Sequence, residues 1–138
     1  MINKYLKAFS VLVWAGILVN AVFWVPALFS PQVINHAFDF NPDYFPVWLR
    51  NVGMLLLLVA IFNGAAAINP ERHQLFAWLV VVARLIAASF FLEIWVLDRY
   101  ASSDQPDVFK WFFITDASFG IAKGICLYLG FRKLRNGH

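Results

Sequence analysis

Apolar residues run along this chain in four long, nearly unbroken stretches. Short segments rich in proline, asparagine, aspartate and basic residues separate them. Crossing a hydrocarbon core about 30 Å thick takes about 20 residues of helix at about 1.5 Å each. Each stretch reaches that length, over about 6–29, 47–68, 75–97 and 108–131. The pattern predicts an all-α fold, a bundle of four transmembrane helices forming one integral membrane domain over 1–138.

The punctuation between the stretches agrees. Asn69-Pro70 closes the second and opens the third, with Asn69 as N-cap and Pro70 at the first helical position. Glu71 then suits the positive end of the helix dipole. Asp104, Pro106 and Asp107 introduce the fourth helix in the same way. Ser30-Pro31 starts PQVINHAF, where Val33, Ile34, Ala37 and Phe38 share a helical face. This reads as a short interfacial helix in the first outer loop. Phe40, Pro42, Tyr44 and Phe45 follow, an aromatic segment expected to hug the membrane. Lys4 and Lys7 before an apolar run resemble a signal sequence. The run is too long for one and no A-x-A site follows, so the expectation is an uncleaved first helix.

Composition narrows the class. Hydrophobic residues make up 62% of the chain and charged residues 14%, against about 25% charged in soluble domains. The lipid bilayer is therefore the first expected partner. Six basic residues (Lys4, Lys7, Arg72, Arg132, Lys133, Arg135) fall on one side of the four spans, and three (Arg50, Arg99, Lys110) on the other. Asp39, Asp43, Asp98, Asp104 and Asp107 share that second side. By the positive-inside rule both termini and the 69–74 turn are cytoplasmic, as expected of a multi-pass protein of a bacterial inner (plasma) membrane. No basic run alternates with aromatics, so no nucleic-acid partner is expected. Cys126 stands alone, which excludes an internal disulfide and a cysteine-built metal site.

Five ionisable residues lie inside or at the edge of the spans: Arg50, Arg84, Glu93, Asp116 and Lys123. Each costs about 3 kcal/mol at the bilayer centre on insertion scales. Helix rise puts Arg84 about 14 Å deep and Lys123 about 12 Å deep from the same side, and Asp116 about 12 Å from the other. Asp116 and Lys123 are seven residues apart and share a face of the fourth helix, with Gly120 between them. Arg84 and Glu93 are nine apart and point to opposite sides of the third. Arg84 therefore finds its nearest carboxylate in Asp116, and Glu93 is offered to Arg50 near the outer surface. Asn20 and Asn63 are further polar groups for these networks. A packing role and a ligand-binding role stay open for the deep charges. Gly120 and Gly124 form a GxxxG step for close helix packing, and Ala60/Gly64 and Gly16/Asn20 are looser versions. Trp14, Phe23, Trp24, Phe90, Trp95 and Phe112 exceed what a compact four-helix core encloses, so the excess should face lipid or another protein.

Catalytic signatures are missing. His36, His73 and His138 all lie outside the spans, where they cannot hold a haem between helices. There is no zinc spacing, phosphate-binding loop or nucleophile elbow. His36 with Asp39 and Asp43 offers an outer metal set, weighed against an ordinary solvated loop histidine. No cofactor, metal or catalytic residue is expected.

Residues 48–88 resemble small four-helix membrane proteins of the DoxX-like group, through Arg50-Asn51-x-Gly53, the Pro70/Arg72 turn and the Trp78/Arg84 helix. Asp116 and Gly120 are similar to the same pattern, and length and topology resemble BphX-type proteins. The resemblance implies accessory membrane subunits of oxidoreductases or proteins of unknown role. The expectation is a non-catalytic accessory or structural subunit, within a larger membrane complex or a homo-oligomer. The alternative is an intramembrane binding or transport protein for a lipid, quinone or other hydrophobic molecule, with Arg84, Asp116 and Lys123 at its polar end.

Overall fold

The computed structural model describes residues 3–38, 46–97 and 106–136. Among these the chain forms five helices and no strand: α1 (Lys4–Phe29), α2 (Pro31–Phe38), α3 (Pro46–Ile68), α4 (Gln74–Leu97) and α5 (Pro106–Asn136). All but α2 are long and apolar enough to cross a membrane. The protein is an all-α, multi-pass membrane bundle. The aromatic segment with Phe40, Pro42, Tyr44 and Phe45 lies outside the described residues, as do Asp39, Asp43, Asp98, Arg99 and Asp104.

Local chemistry sets the helix ends. The Asn3 side chain caps α1 by accepting the Tyr5 N–H at 3.1 Å. At the far end the Ser30 N–H donates to the Pro26 carbonyl at 2.7 Å, and Val33 donates back to Ser30 at 2.9 Å, so α1 turns directly into α2. Asn69 accepts the Arg72 N–H at 3.0 Å on its side chain and the His73 N–H at 3.1 Å on its carbonyl. It caps a single lead-in turn over 70–73, and regular helix begins only at Gln74. Pro70 is thus in that turn, not at the first position of α4. The lead-in turn uses Asn69's acceptors and leaves the helix proper to start with the apolar stretch.

Packing makes a ring. α1 lies mainly on α3 and α4 mainly on α5, while α1 also meets α5 and α3 meets α4. The pairs α1/α4 and α3/α5 are therefore diagonals. At one end Leu6, Phe9 and Val13 project from one face of α1 onto Ala66 and Ala67 of α3, Ala77, Val80 and Val81 of α4, and Leu127 of α5. Alanines on both sides of the α3–α4 turn let these helices converge. At the other end Ala27, Ile34 and Leu49 join α1, α2 and α3, with Phe23 packed against them. An aromatic set ties α1, α4 and α5 there. Phe112 lies 5.2 Å from Phe91 and 6.3 Å, edge-on, from Phe23, while Trp95 stacks on Phe113 at 6.2 Å beneath the Lys110 ammonium. Phe23, Trp24, Trp95 and Phe112 are accordingly half-buried; of the aromatics expected in excess, Trp14 and Phe90 face outward.

Glycines mark the closest helix contacts. A Cβ on Gly130 would stand 2.5 Å from Leu6 Cδ2 and 2.8 Å from its Cγ. One on Gly120 would stand 2.9 Å from Leu85 Cδ2, and one on Gly124 would meet Val81 at 3.3 Å. The GxxxG step is thus used inside the chain, to seat α4 on α5. Gly130→Ala should destabilise the detergent-solubilised protein by about 1–3 kcal/mol, because Leu6 must move at its branch point. Gly124→Ala should cost less than about 1 kcal/mol. Reversible unfolding in mixed micelles measures both, and an equal loss at the two positions would refute this account of the packing.

Candidate functional site

The deep charges gather where the α1/α4 diagonal closes across α5. Gly120 carries no side chain, so α4 approaches α5 until an alanine methyl there would lie 3.4 Å from Arg84 Cβ. Asp116 is one turn before Gly120 on the same face. The Arg84 side chain therefore needs little reach, and its Nη1 donates to Asp116 Oδ1 in a buried ion pair. Its Nη2 donates at 3.4 Å to the backbone carbonyl of Gly16 on α1. One guanidinium thus joins three helices. Arg84 and Asp116 are each 8% exposed.

Lys123 completes the group and is its anomaly. It is fully buried, at 0% exposure. Its Nζ has no hydrogen-bond partner, and it lies over the Phe119 ring, with the centroid 5.1 Å away. A cation over an aromatic face gains about 0.5–2 kcal/mol. That offsets only part of the loss of water around an ammonium. Gly16 makes the room: a Cβ there would stand 2.9 Å from Lys123 Nζ, 3.4 Å from Arg84 Nη2 and 3.7 Å from Phe119. Two cations thus converge on the bare backbone of α1, and the one carboxylate in the group, Asp116, pairs with Arg84.

The remaining candidates stand apart. Arg50 is exposed on the second turn of α3. Glu93 is half-buried on α4, nine residues and about 14 Å of helix beyond Arg84. Neither belongs to the Arg84 group. Asn63 is buried in α3, and Asn20 is half-buried one turn beyond Gly16. The second acceptor for Arg84 is a backbone carbonyl instead, which residue chemistry alone does not reveal. Phe119 was legible in principle, since it lies four residues before Lys123 on one helix face. His36 is exposed on α2, and His73 packs edge-on against Phe76 at 6.3 Å. His138, Asp39 and Asp43 lie outside the described residues. Among the described residues no three His, Cys, Asp or Glu side chains are placed to hold a metal ion. Cys126 is half-buried against the apolar core.

No protein-family model, curated protein or solved structure matches this chain.

Removing one partner of a buried ion pair leaves an uncompensated charge, a loss of about 3–5 kcal/mol. Arg84→Ala and Asp116→Ala should each destabilise the bundle by that amount, and the double variant should recover part of it. A double-mutant cycle in mixed micelles measures the coupling. Strictly additive losses would show that the two side chains do not support each other.

Proposed function

We propose that this chain is a non-catalytic accessory subunit of a bacterial inner-membrane complex. The observation that carries this reading is the internal use of the deepest ion pair. Arg84 is met by Asp116 and by the Gly16 carbonyl, so its charge is spent on holding α1, α4 and α5 together. A binding site for an apolar molecule would instead leave Arg84 facing an open cavity. The outer surface fits a subunit. Val11, Leu18, Val22 and Phe29 of α1 are all well exposed, and at 100° per residue they fall on one stripe about 40° wide. Their spacing of seven, four and seven matches the seam along which a second helix packs. The resemblance of residues 48–88 to DoxX-like proteins points the same way, toward an oxidoreductase assembly acting on hydrophobic substrates.

Leu18→Ala combined with Val22→Ala should release partner proteins that co-purify from bacterial membranes in mild detergent, while leaving the monomer's melting temperature nearly unchanged. A wild-type protein that stays monomeric and partner-free in native mass measurements would overturn the proposal. Orientation is tested by single-cysteine labelling in a Cys126→Ser background. Cysteines at positions 4 and 135 should react only once the cytoplasmic face is opened, and one at 43 should react from outside. Labelling in the opposite sense would remove the inward assignment of the termini.

One observation favours a second reading. The unpartnered Nζ of Lys123 suits the acidic or carbonyl end of a hydrophobic molecule admitted between the helices. Lys123→Met separates the two. For an accessory subunit it removes a poorly solvated cation and should leave stability unchanged or raise it by about 1–3 kcal/mol. For a binding protein it should abolish retention of a hydrophobic acid probe such as oleate.

A further inference from the structure

Two cations share a groove where α1 begins and α5 ends, and a third, Lys4, lies over the tyrosine ring that lines it. Arg132 and Lys133 lie near the end of α5, and Lys4 opens α1 with its ammonium 5.1 Å from the centre of the Tyr5 ring. Tyr5, Leu129, Arg132, Lys133 and Asn136 line an open groove of about 450 Å³. Buried contacts fix its walls. The Asn3 amide donates to the Gly130 carbonyl at 2.7 Å, and Leu6 occupies the space beside Gly130 where a side chain would have stood. The spacing of the two helix ends is therefore set by the core and not by the charged side chains themselves.

Among the described residues the lining of this groove contains no carboxylate. Glu71, the acid on the neighbouring turn, lines an adjoining groove with Gln74, Trp78 and Arg135, and Arg132 lines both. The groove also sits at a telling depth. Gly16, beside Lys123, is close to the middle of α1. From that level Arg132 and Lys133 are nine and ten residues along α5, about 14–15 Å, and Tyr5 is eleven residues back along α1, about 17 Å. Half of a 30 Å hydrocarbon core is about 15 Å. The groove therefore opens at the level of lipid headgroups, with an apolar floor at Leu129 and donors above it. An arginine fork, an ammonium, a phenol and an amide can all donate to the oxygens of one phosphate.

We propose that this groove binds the phosphate of an anionic phospholipid, with Arg132 and Lys133 pairing with its charge, Tyr5 and Asn136 donating hydrogen bonds, and Lys4 supplying further positive potential. The selectivity is for headgroups of net negative charge, because the lining is cationic and the Tyr5 ring, its one aromatic face, already has the Lys4 ammonium over it. The site stands independently of the accessory-subunit reading and would exist in a lone bundle. A basic residue beside an anionic lipid surface is worth about 1 kcal/mol, or about fivefold in binding.

The test uses the full chain in mild detergent, titrated with phosphatidylglycerol or phosphatidylcholine and read by native mass spectrometry. Phosphatidylglycerol should be retained in preference to phosphatidylcholine. Arg132→Gln with Lys133→Gln should weaken phosphatidylglycerol about 25-fold, while Lys7→Gln with Arg72→Gln, an equal charge change at the same end of the bundle, should weaken it less than threefold. Tyr5→Phe, which keeps the ring and the fold but removes the hydroxyl, should weaken it about fivefold and provides a second reading should the double variant prove unstable. Millimolar inorganic phosphate should not displace the lipid. Equal losses in the two double variants, equal retention of the two lipids, an unaltered Tyr5→Phe, or displacement by inorganic phosphate would each overturn the proposal.

Discussion

A guanidinium in the middle of an apolar bundle must be met on all sides by acceptors, or the bundle does not hold together. Arg84 cannot be deprotonated to escape that demand. Its position therefore constrains three helices at once. α5 must bring Asp116 to it, which the bare backbone at Gly120 permits. α1 must bring a carbonyl to it from across the diagonal, and a glycine at position 16 leaves room there for both Arg84 and the Lys123 ammonium, which an added Cβ would meet at 3.4 and 2.9 Å. In lipid the hydrophobic effect does little to choose between one apolar helix face and another. A buried ion pair with a shared backbone acceptor does choose, because rotating any of the three helices separates it.

Lys123 shows the limit of that solution. The site contains one carboxylate and two cationic side chains, and the carboxylate goes to the arginine, whose planar fork also reaches Gly16. The lysine is left against the Phe119 ring with no acceptor. This is the least satisfied group in the membrane interior of the described structure. A chain whose intramembrane charges served packing alone would gain by an apolar residue there, as buried ionic groups in soluble cores often do when replaced. A satisfied Arg84 serves packing, while an unsatisfied Lys123 in the same small site retains capacity to meet an acceptor.

The two ends of the bundle are built differently, and the difference matches their surroundings. One end is closed by small and branched aliphatic residues around Leu6, Phe9 and Val13 and is rimmed by basic side chains. The other is closed by rings, with Phe23, Phe91, Phe109 and Phe112 in mutual contact and Trp95 under Lys110. Aromatic rings and lysine stems suit a membrane–water boundary, where one part of the side chain is dry and the other wet. Basic side chains beside a tyrosine suit a boundary that carries anionic lipid. Between the ends the outward faces are mainly apolar, with Ser89, which donates to the Leu85 carbonyl of its own helix at 2.8 Å, and Ser118 among the exceptions.

The helices could be read from the chain because their causes are local. Hydropathy over 20 residues, Asn69 before Pro70 and Ser30 before Pro31 act within a few residues, and α1 to α5 follow them closely, apart from the lead-in turn before Gln74. The mid-helix positions of Arg84, Asp116 and Lys123 were also legible, since an isolated charge in an apolar run stands out. Which groups these side chains meet was decided by the tertiary structure. Gly16 offers Arg84 a backbone carbonyl that has no sequence signature. Phe23 and Phe112 looked like surplus surface until helix rotation brought them together. Tyr5 and Arg132 are 127 residues apart and become neighbours only when α1 lies antiparallel to α5. A helix turns 100° per residue, so a small error in its rotation replaces every contact on its face. Only the packed bundle sets that rotation.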